Sequence, residues 1–264
     1  MQDGGGVVKI GTGSTSVRLT EKKLPLFFRT CPRDDDQGRV LAKHVQAMGH
    51  KVVALVHDNS SYAKGLVQEV KDLLDEAGVK IVFYDAITPG DRDYTTTLTK
   101  IKTLNPEIII FTGYYPEAGM LLRQKKEMGW EVPLIGGDAT NNLALVDIAG
   151  KEAASGYYFI SPPGPSDLAD EMSRNFMNEY EARFNTLPSS VWSVMAGDAF
   201  KVLAVAIEKV DGPSGANLAA YLHNDLKGFI GFTGPIAFDA KGDRVGDVYR
   251  LYQVDKNGDF TLVP

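Results

Sequence analysis

Three aromatic hydroxyls and a carboxylate recur at equivalent positions in this 264-residue chain: Tyr62 follows KVVALVHDNSS, Tyr114 and Tyr115 follow EIIIFTG, and Asp138 follows PLIGG. Aromatic faces and phenol oxygens beside a carboxylate suit a small cation such as an ammonium group, held by charge-assisted hydrogen bonds and cation–π attraction. The alternative for each residue is structural: Tyr62 and Tyr114 pack, and Asp138 caps a helix starting near Asn141. Three such residues at the ends of successive apolar runs favour the binding reading. A second candidate is GTGSTS, Gly11 to Ser16, which follows the apolar VVKI. There Gly13, Ser14 and Thr15 can offer backbone N–H groups and hydroxyls to an anion, or form a plain polar turn. Ser16 stands where a dinucleotide fingerprint needs its third glycine, and no long helix clearly follows, so that fingerprint is not met.

Catalytic equipment is sparse. No G-x-S-x-G is present, and His44, His50, His57 and His223 are scattered, without metal-ligand spacing. His57 and Asp58 form the one candidate acid–base pair, yet a strand-end pair of this kind more often bonds to its own loop. We therefore expect no catalytic residue, no metal and no cofactor. Cys31 is the only cysteine, which excludes an internal disulfide. The net charge is −6 with acidic and basic residues mixed and no basic block, so nucleic acid is not an expected partner. No run approaches eighteen apolar residues, and MQDGGGVVKIG lacks the pattern of an export signal.

The elements that must position these groups follow one rhythm from residue 51. Apolar runs KVVALVHD, KIVFYD, EIIIFTG, PLIGG and GYYFIS start 29, 27, 26 and 23 residues apart. Between them lie segments such as YAKGLVQEVKDLLDEAG, where Leu66, Val67, Val70, Leu73 and Leu74 draw the stripe of an amphipathic helix ending at Gly78. Uniformly apolar strands joined by crossover helices predict a parallel, doubly wound α/β sheet, with ligands at the carboxyl ends of its strands. After residue 162 the rhythm stops. PPGPSD reads as a loop with Ser166 as an N-cap, and helices are expected over about 167–184 and 190–210, with a shorter one in ANLAAYLHNDL. PIAFD and DVYRLYQV, joined through AKGDRVG, and a final turn at DKNGD read as antiparallel β. The two long helices need a sheet to cover, and VVKIG and PLFFRT near the N-terminus are the available strands, so the second domain is read as discontinuous.

Five motifs, TGSTSVRLTEKKLPLFFRTCPRDDDQG, VALVHDNSSYAKGL, IIIFTGYYPEAGMLLRQ, PLIGGDATN and GPIAFDAKGD, together resemble the branched-chain amino-acid (leucine/isoleucine/valine) type of periplasmic substrate-binding protein of ABC transporters. The resemblance runs in order from Thr12 to the C-terminus. It implies a type I periplasmic-binding-protein fold, α/β with two doubly wound parallel-sheet lobes: residues 1–33 and 162–246 in a shortened lobe, 34–161 and 247–264 in the other. It also implies a periplasmic location, non-catalytic binding of a small amino acid in the cleft between the lobes, and delivery to transporter membrane subunits. The family's ligand contacts map onto Gly13 and Thr15, on a loop that takes the α-carboxylate and α-amino group, onto Tyr62 and Tyr114 as walls, and onto Asp138 as partner of the ammonium. Ser190 stands where relatives often carry an aromatic residue. Relatives also have several strand–helix units between a strand like VVKIG and the TGSTS-like loop, so an internally shortened lobe is expected here, with exposed surface that favours self-association. The alternative function is a shortened scaffold or sensor without transport.

Overall fold

The computed structural model describes residues 6–246 and 248–263; Asp247, which opens the predicted segment DVYRLYQV, lies outside them. In chain order the elements begin with β1 (Lys9–Gly11), α1 (Arg18–Glu21), β2 (Phe27–Arg29), α2 (Asp34–Ala47), β3 (Val52–His57), α3 (Ser61–Glu76), β4 (Lys80–Ala86), α4 (Thr95–Thr103) and β5 (Ile108–Phe111). They continue with α5 (Tyr115–Glu127), β6 (Leu134–Gly136), α6 (Ala144–Ala149), α7 (Lys151–Ala154), β7 (Tyr158–Ser161), α8 (Glu171–Phe184) and α9 (Val191–Lys209). The last are α10 (Gly215–Asn224), β8 (Phe229–Gly231), β9 (Gly234–Ile236), β10 (Arg250–Val254) and β11 (Phe260–Leu262). The chain divides into two compact units, residues 1–33 with 163–248 and residues 34–162 with 249–264.

The second of these units holds a seven-stranded sheet in the order β11-β10-β7-β6-β5-β3-β4. Strands β4, β3, β5, β6 and β7 are parallel; β10 joins β7 antiparallel, and β11 joins β10 antiparallel. The apolar runs are buried on both faces because alternate residues serve different layers. Val53, Leu55, Ile108 and Ile110 pack with Leu41, Val45, Leu66 and Val70 of α2 and α3. Ala54, Val56, Ile109 and Phe111 pack with Leu98, Leu121 and Leu145 of α4, α5 and α6. Helix α3 begins where Ser60 accepts from the Ala63 N–H at 3.1 Å, and it ends before Gly78, whose φ of +70° suits a residue without Cβ. Because the chain moves from β3 to β4 on one side and then returns past β3 to β5, the winding reverses between β3 and β5. Such a switch point opens a crevice at the strands' carboxyl ends.

The other unit pairs β1 with β2 in parallel and β8 with β9 antiparallel. Phe28 of β2 packs with Val202 and Ala206 of α9, Leu218 and Leu222 of α10, and Ile236 of β9, with Val8, Ile10 and Leu26 at the margin. Two details differ from the sequence expectation. The N-cap of α8 is Asp170, which accepts from the Ser173 N–H at 2.9 Å, while Ser166 lies in a separate 3-10 turn over Pro165–Asp167. PIAFD and YRLYQV do not form a hairpin: the AKGD turn closes a local bridge from Phe238 to Arg244, and β10 instead extends the large sheet beside β7. Two adjacent β segments with a tight turn between them cannot reveal by themselves that they serve different sheets.

Candidate functional site

At the carboxyl end of the large sheet, three loops bring a tyrosine pair and a carboxylate together. Tyr62 enters on the first turn of α3, directly after β3 and the cap at Ser60. Tyr114 is the N-cap of α5 after β5, and its ring lies 5.5 Å from that of Tyr62, tilted by 52°. Tyr114 is 44% exposed, so part of its side chain is accessible to a ligand. Tyr115, next in sequence, turns the other way and packs on the core. Asp138 opens a 3-10 turn after β6 and is almost wholly buried.

The Asp138 carboxylate is a hub. The Tyr62 hydroxyl donates to Oδ1 at 2.8 Å, and the Tyr249 hydroxyl donates to Oδ2 at 2.9 Å. Gln37 Oε1 accepts from the Asp138 backbone N–H at 3.0 Å, and Gln37 Nε2 donates to the Tyr249 hydroxyl at 3.1 Å. The capping alternative for Asp138 is therefore not what its side chain does; Asn142 accepts from the Ala144 N–H at the start of α6. Gly137 must be glycine, since a Cβ there would stand 2.4 Å from Gln37 Oε1 and 2.6 Å from the Tyr62 hydroxyl. Burial pushes the Asp138 carboxyl up to about 6, opposed by the hydrogen bonds from Tyr62, Tyr249 and Gln37. Burial first, then the Asp58, Asp138 and Asp34 carboxylates, raises the Tyr114 phenol; burial and the same Asp138 and Asp34 carboxylates raise the phenols of Tyr62 and Tyr249. A buried carboxylate ringed by phenols in a negative potential is chemically matched to an ammonium ion.

Gln37 and Tyr249 were not singled out in the sequence. Gln37 hides in the polar run DDDQG and Tyr249 in an apolar strand segment, and neither position advertises a shared partner 101 and 111 residues away at Asp138. The turn at Asp138 also reaches Ser161, whose Oγ accepts from Asn141 Nδ2 at 2.7 Å. The 138–141 turn is thus tied near the start of residues 34–162, near their end, and to the first residue of 249–264.

In the other unit the GTGSTS loop links β1 to α1. Gly13 and Ser14 are exposed and Thr15 is 4% exposed. Trp192, near the start of α9, would stand 3.7 Å from a Cβ placed on Gly13, and Ser190 is the N-cap of that helix without a side-chain cap bond. Beneath the loop, Arg29 donates to the carbonyls of Ser14 and Ser16 at 2.8 and 3.0 Å.

His57 and Asp58 serve their own loop. His57 Nδ1 accepts from the Asn59 N–H at 3.1 Å, Asp58 accepts from the Ser60 N–H at 2.9 Å, and burial lowers the imidazole pKa. Among the described residues no group of three or more histidine, cysteine or acidic side chains could hold a metal ion.

A family model described as periplasmic binding protein matches residues 3–259. The chain belongs to the periplasmic binding protein family. Within that family it is 32% identical over 249 residues to a Leu/Ile/Val-binding protein of Rhizobium johnstonii, covering 94% of this chain and 66% of the relative. It is 30% identical over 259 residues to a leucine-, isoleucine-, valine-, threonine- and alanine-binding protein of Pseudomonas aeruginosa, covering 98% and 68%. The chain thus spans about two thirds of the length of these curated relatives. Among solved structures, this periplasmic binding protein is similar to a leucine binding protein from Thermotoga maritima, with a TM-score of 0.85 and 25% identity over 97% of this chain and 72% of that one. It is also similar to a branched-chain amino acid transporter substrate binding protein from Streptococcus pneumoniae in complex with isoleucine, with a TM-score of 0.84 and 28% identity over the same shares.

Proposed function

We propose that this periplasmic binding protein binds a small aliphatic amino acid of the leucine, isoleucine and valine class without transforming it, for delivery to an ABC transporter. The observation that carries the reading is Asp138: a buried carboxylate that two tyrosine hydroxyls orient at the switch point, with the partly exposed Tyr114 beside Tyr62. In this reading Asp138 pairs with the ligand's ammonium, Tyr62 and Tyr114 line its surroundings, and Gly13, Ser14 and Thr15 meet its carboxylate. The names of the relatives support the substrate class, and the loop-directed bonding of His57 and Asp58 supports binding rather than catalysis. The family points to a periplasmic setting and to transporter membrane subunits as partners. The direct run of β1 into GTGSTS supports an internally shortened lobe, which comparison of the intact mass with the gene's full reading frame tests. Self-association is proposed through a second apolar stripe on α9, where Phe200 is 74% and Ile207 45% exposed.

The test of the binding reading is a thermal-shift screen against the twenty amino acids. A ligand that binds only the folded state raises the melting temperature with its concentration. We expect the largest rise from leucine, isoleucine or valine; no rise from any amino acid would refute the reading.

A further inference from the structure

The GTGSTS loop is built on an unusual support. Arg29 is fully buried, a position where a hydrocarbon side chain would avoid the cost of desolvating a charge. Its guanidinium is used on every side. Nη1 donates to the carbonyls of Ser14 and Ser16, Nη2 donates to Thr20 Oγ1 at 2.6 Å, and Nε lies 2.6 Å from Asp243 Oδ1 in an ion pair. Asp243, itself buried, also pairs with Arg33 at 2.5 Å. The backbone of this stretch is pinned as well, since the Arg29 N–H donates to Gly242 O and the Thr30 N–H donates to Gly11 O, each at 2.9 Å.

The consequence lies in the peptide planes. A trans peptide unit sends its C=O and the following N–H in opposite directions. With the carbonyls of Ser14 and Ser16 drawn down onto Arg29, the N–H groups of Thr15 and Val17 are turned to the other side of their peptide planes. Among the described residues no hydrogen-bond acceptor takes the N–H of Ser14 or Thr15. A guanidinium can hold two carbonyls and a hydroxyl in one plane, whereas an ammonium on a flexible stem cannot fix all three.

We propose that Arg29 is the positioning residue of the anion-binding loop: by gripping the carbonyls of Ser14 and Ser16 it fixes the peptide units on either side of Thr15, the Thr15 amide among them, for an amino acid's carboxylate. Arg29 does not touch the ligand; its effect is carried by the loop. The inference rests on the amino-acid-binding reading above.

The test compares L-leucine with leucinamide, which keeps the ammonium and the side chain but lacks the carboxylate, by calorimetry on the wild type, Arg29→Lys and Thr20→Val. Each variant is first checked for a cooperative thermal transition. Arg29→Lys is expected to weaken L-leucine about 10- to 100-fold while changing leucinamide less than about threefold, so the preference for the carboxylate collapses. Thr20→Val keeps the charge and the ion pair but frees Nη2, and shifts the same ratio in the same direction by a smaller factor. It carries the test if Arg29→Lys does not fold. An unchanged leucine-to-leucinamide ratio in the folded variants overturns the role of Arg29 while leaving the binding reading intact. Absence of binding of any amino acid by the wild type is the distinct failure of the binding reading, and the inference falls with it.

Discussion

Asp138 stands at an acidity set by its surroundings. Its carboxyl lies at about 6 in the folded protein against an ordinary 3.8, because burial outweighs the hydroxyl donors. The folded value is the higher one, so the folded protein holds the extra proton between these limits. The unfolding free energy therefore falls as pH rises through that window, by roughly 3 kcal/mol for a shift of this size, and levels off above it. An ammonium ligand uses the ionised form and offsets that cost. In chemical denaturation from pH 4 to 7, the stability of the wild type relative to Asp138→Asn should decline by about 1–3 kcal/mol as pH rises. Parallel pH profiles for the two proteins would contradict the assignment. Affinity for an amino acid should be constant above the break near 6 and fall about tenfold per pH unit below it.

At the scale of elements, the site is a product of winding order: β3 and β5 place Tyr62 and Tyr114 side by side at the reversal, and β6 adds Asp138. This much was legible in the sequence, because uniformly apolar strands at regular spacing announce a parallel sheet and the residues after them mark its carboxyl edge. The partners of Asp138 were not legible. Tyr249 precedes β10, which enters the sheet antiparallel through contacts with β7, and Gln37 comes from α2; both meet Asp138 by tertiary packing that no local pattern encodes. The same limit explains Ser166, a sound cap by type displaced by Asp170 three residues before Ser173. Tyr249→Phe removes one donor to the Asp138 carboxylate. It should cost about 1 kcal/mol of stability at neutral pH and move the pH break in amino-acid affinity above that of the wild type, since the lost bond favoured the ionised form. A break that stays in place would remove Tyr249 from the account.

For the whole molecule, the chain forms two compact units, with the Asp138 hub in residues 34–162 and 249–264 and the GTGSTS loop in residues 1–33 and 163–248. Helix α9 is apolar beyond the face it buries on Phe28 and its neighbours, with Ala196, Phe200 and Ile207 exposed at helical spacing. Sedimentation of concentrated protein should show association that Phe200→Ser reduces without altering amino-acid affinity; equal association in both would assign it elsewhere. The central claim is that Asp138 receives the ammonium of an amino acid. Calorimetric titration of L-leucine, L-isoleucine and L-valine at pH 7.5 into the wild type and Asp138→Asn tests it most directly. The account predicts saturable heat with at least one ligand in the wild type and a loss of about 2–4 kcal/mol, roughly 30- to 1,000-fold in affinity, in the variant. Equal affinity in both proteins would contradict it.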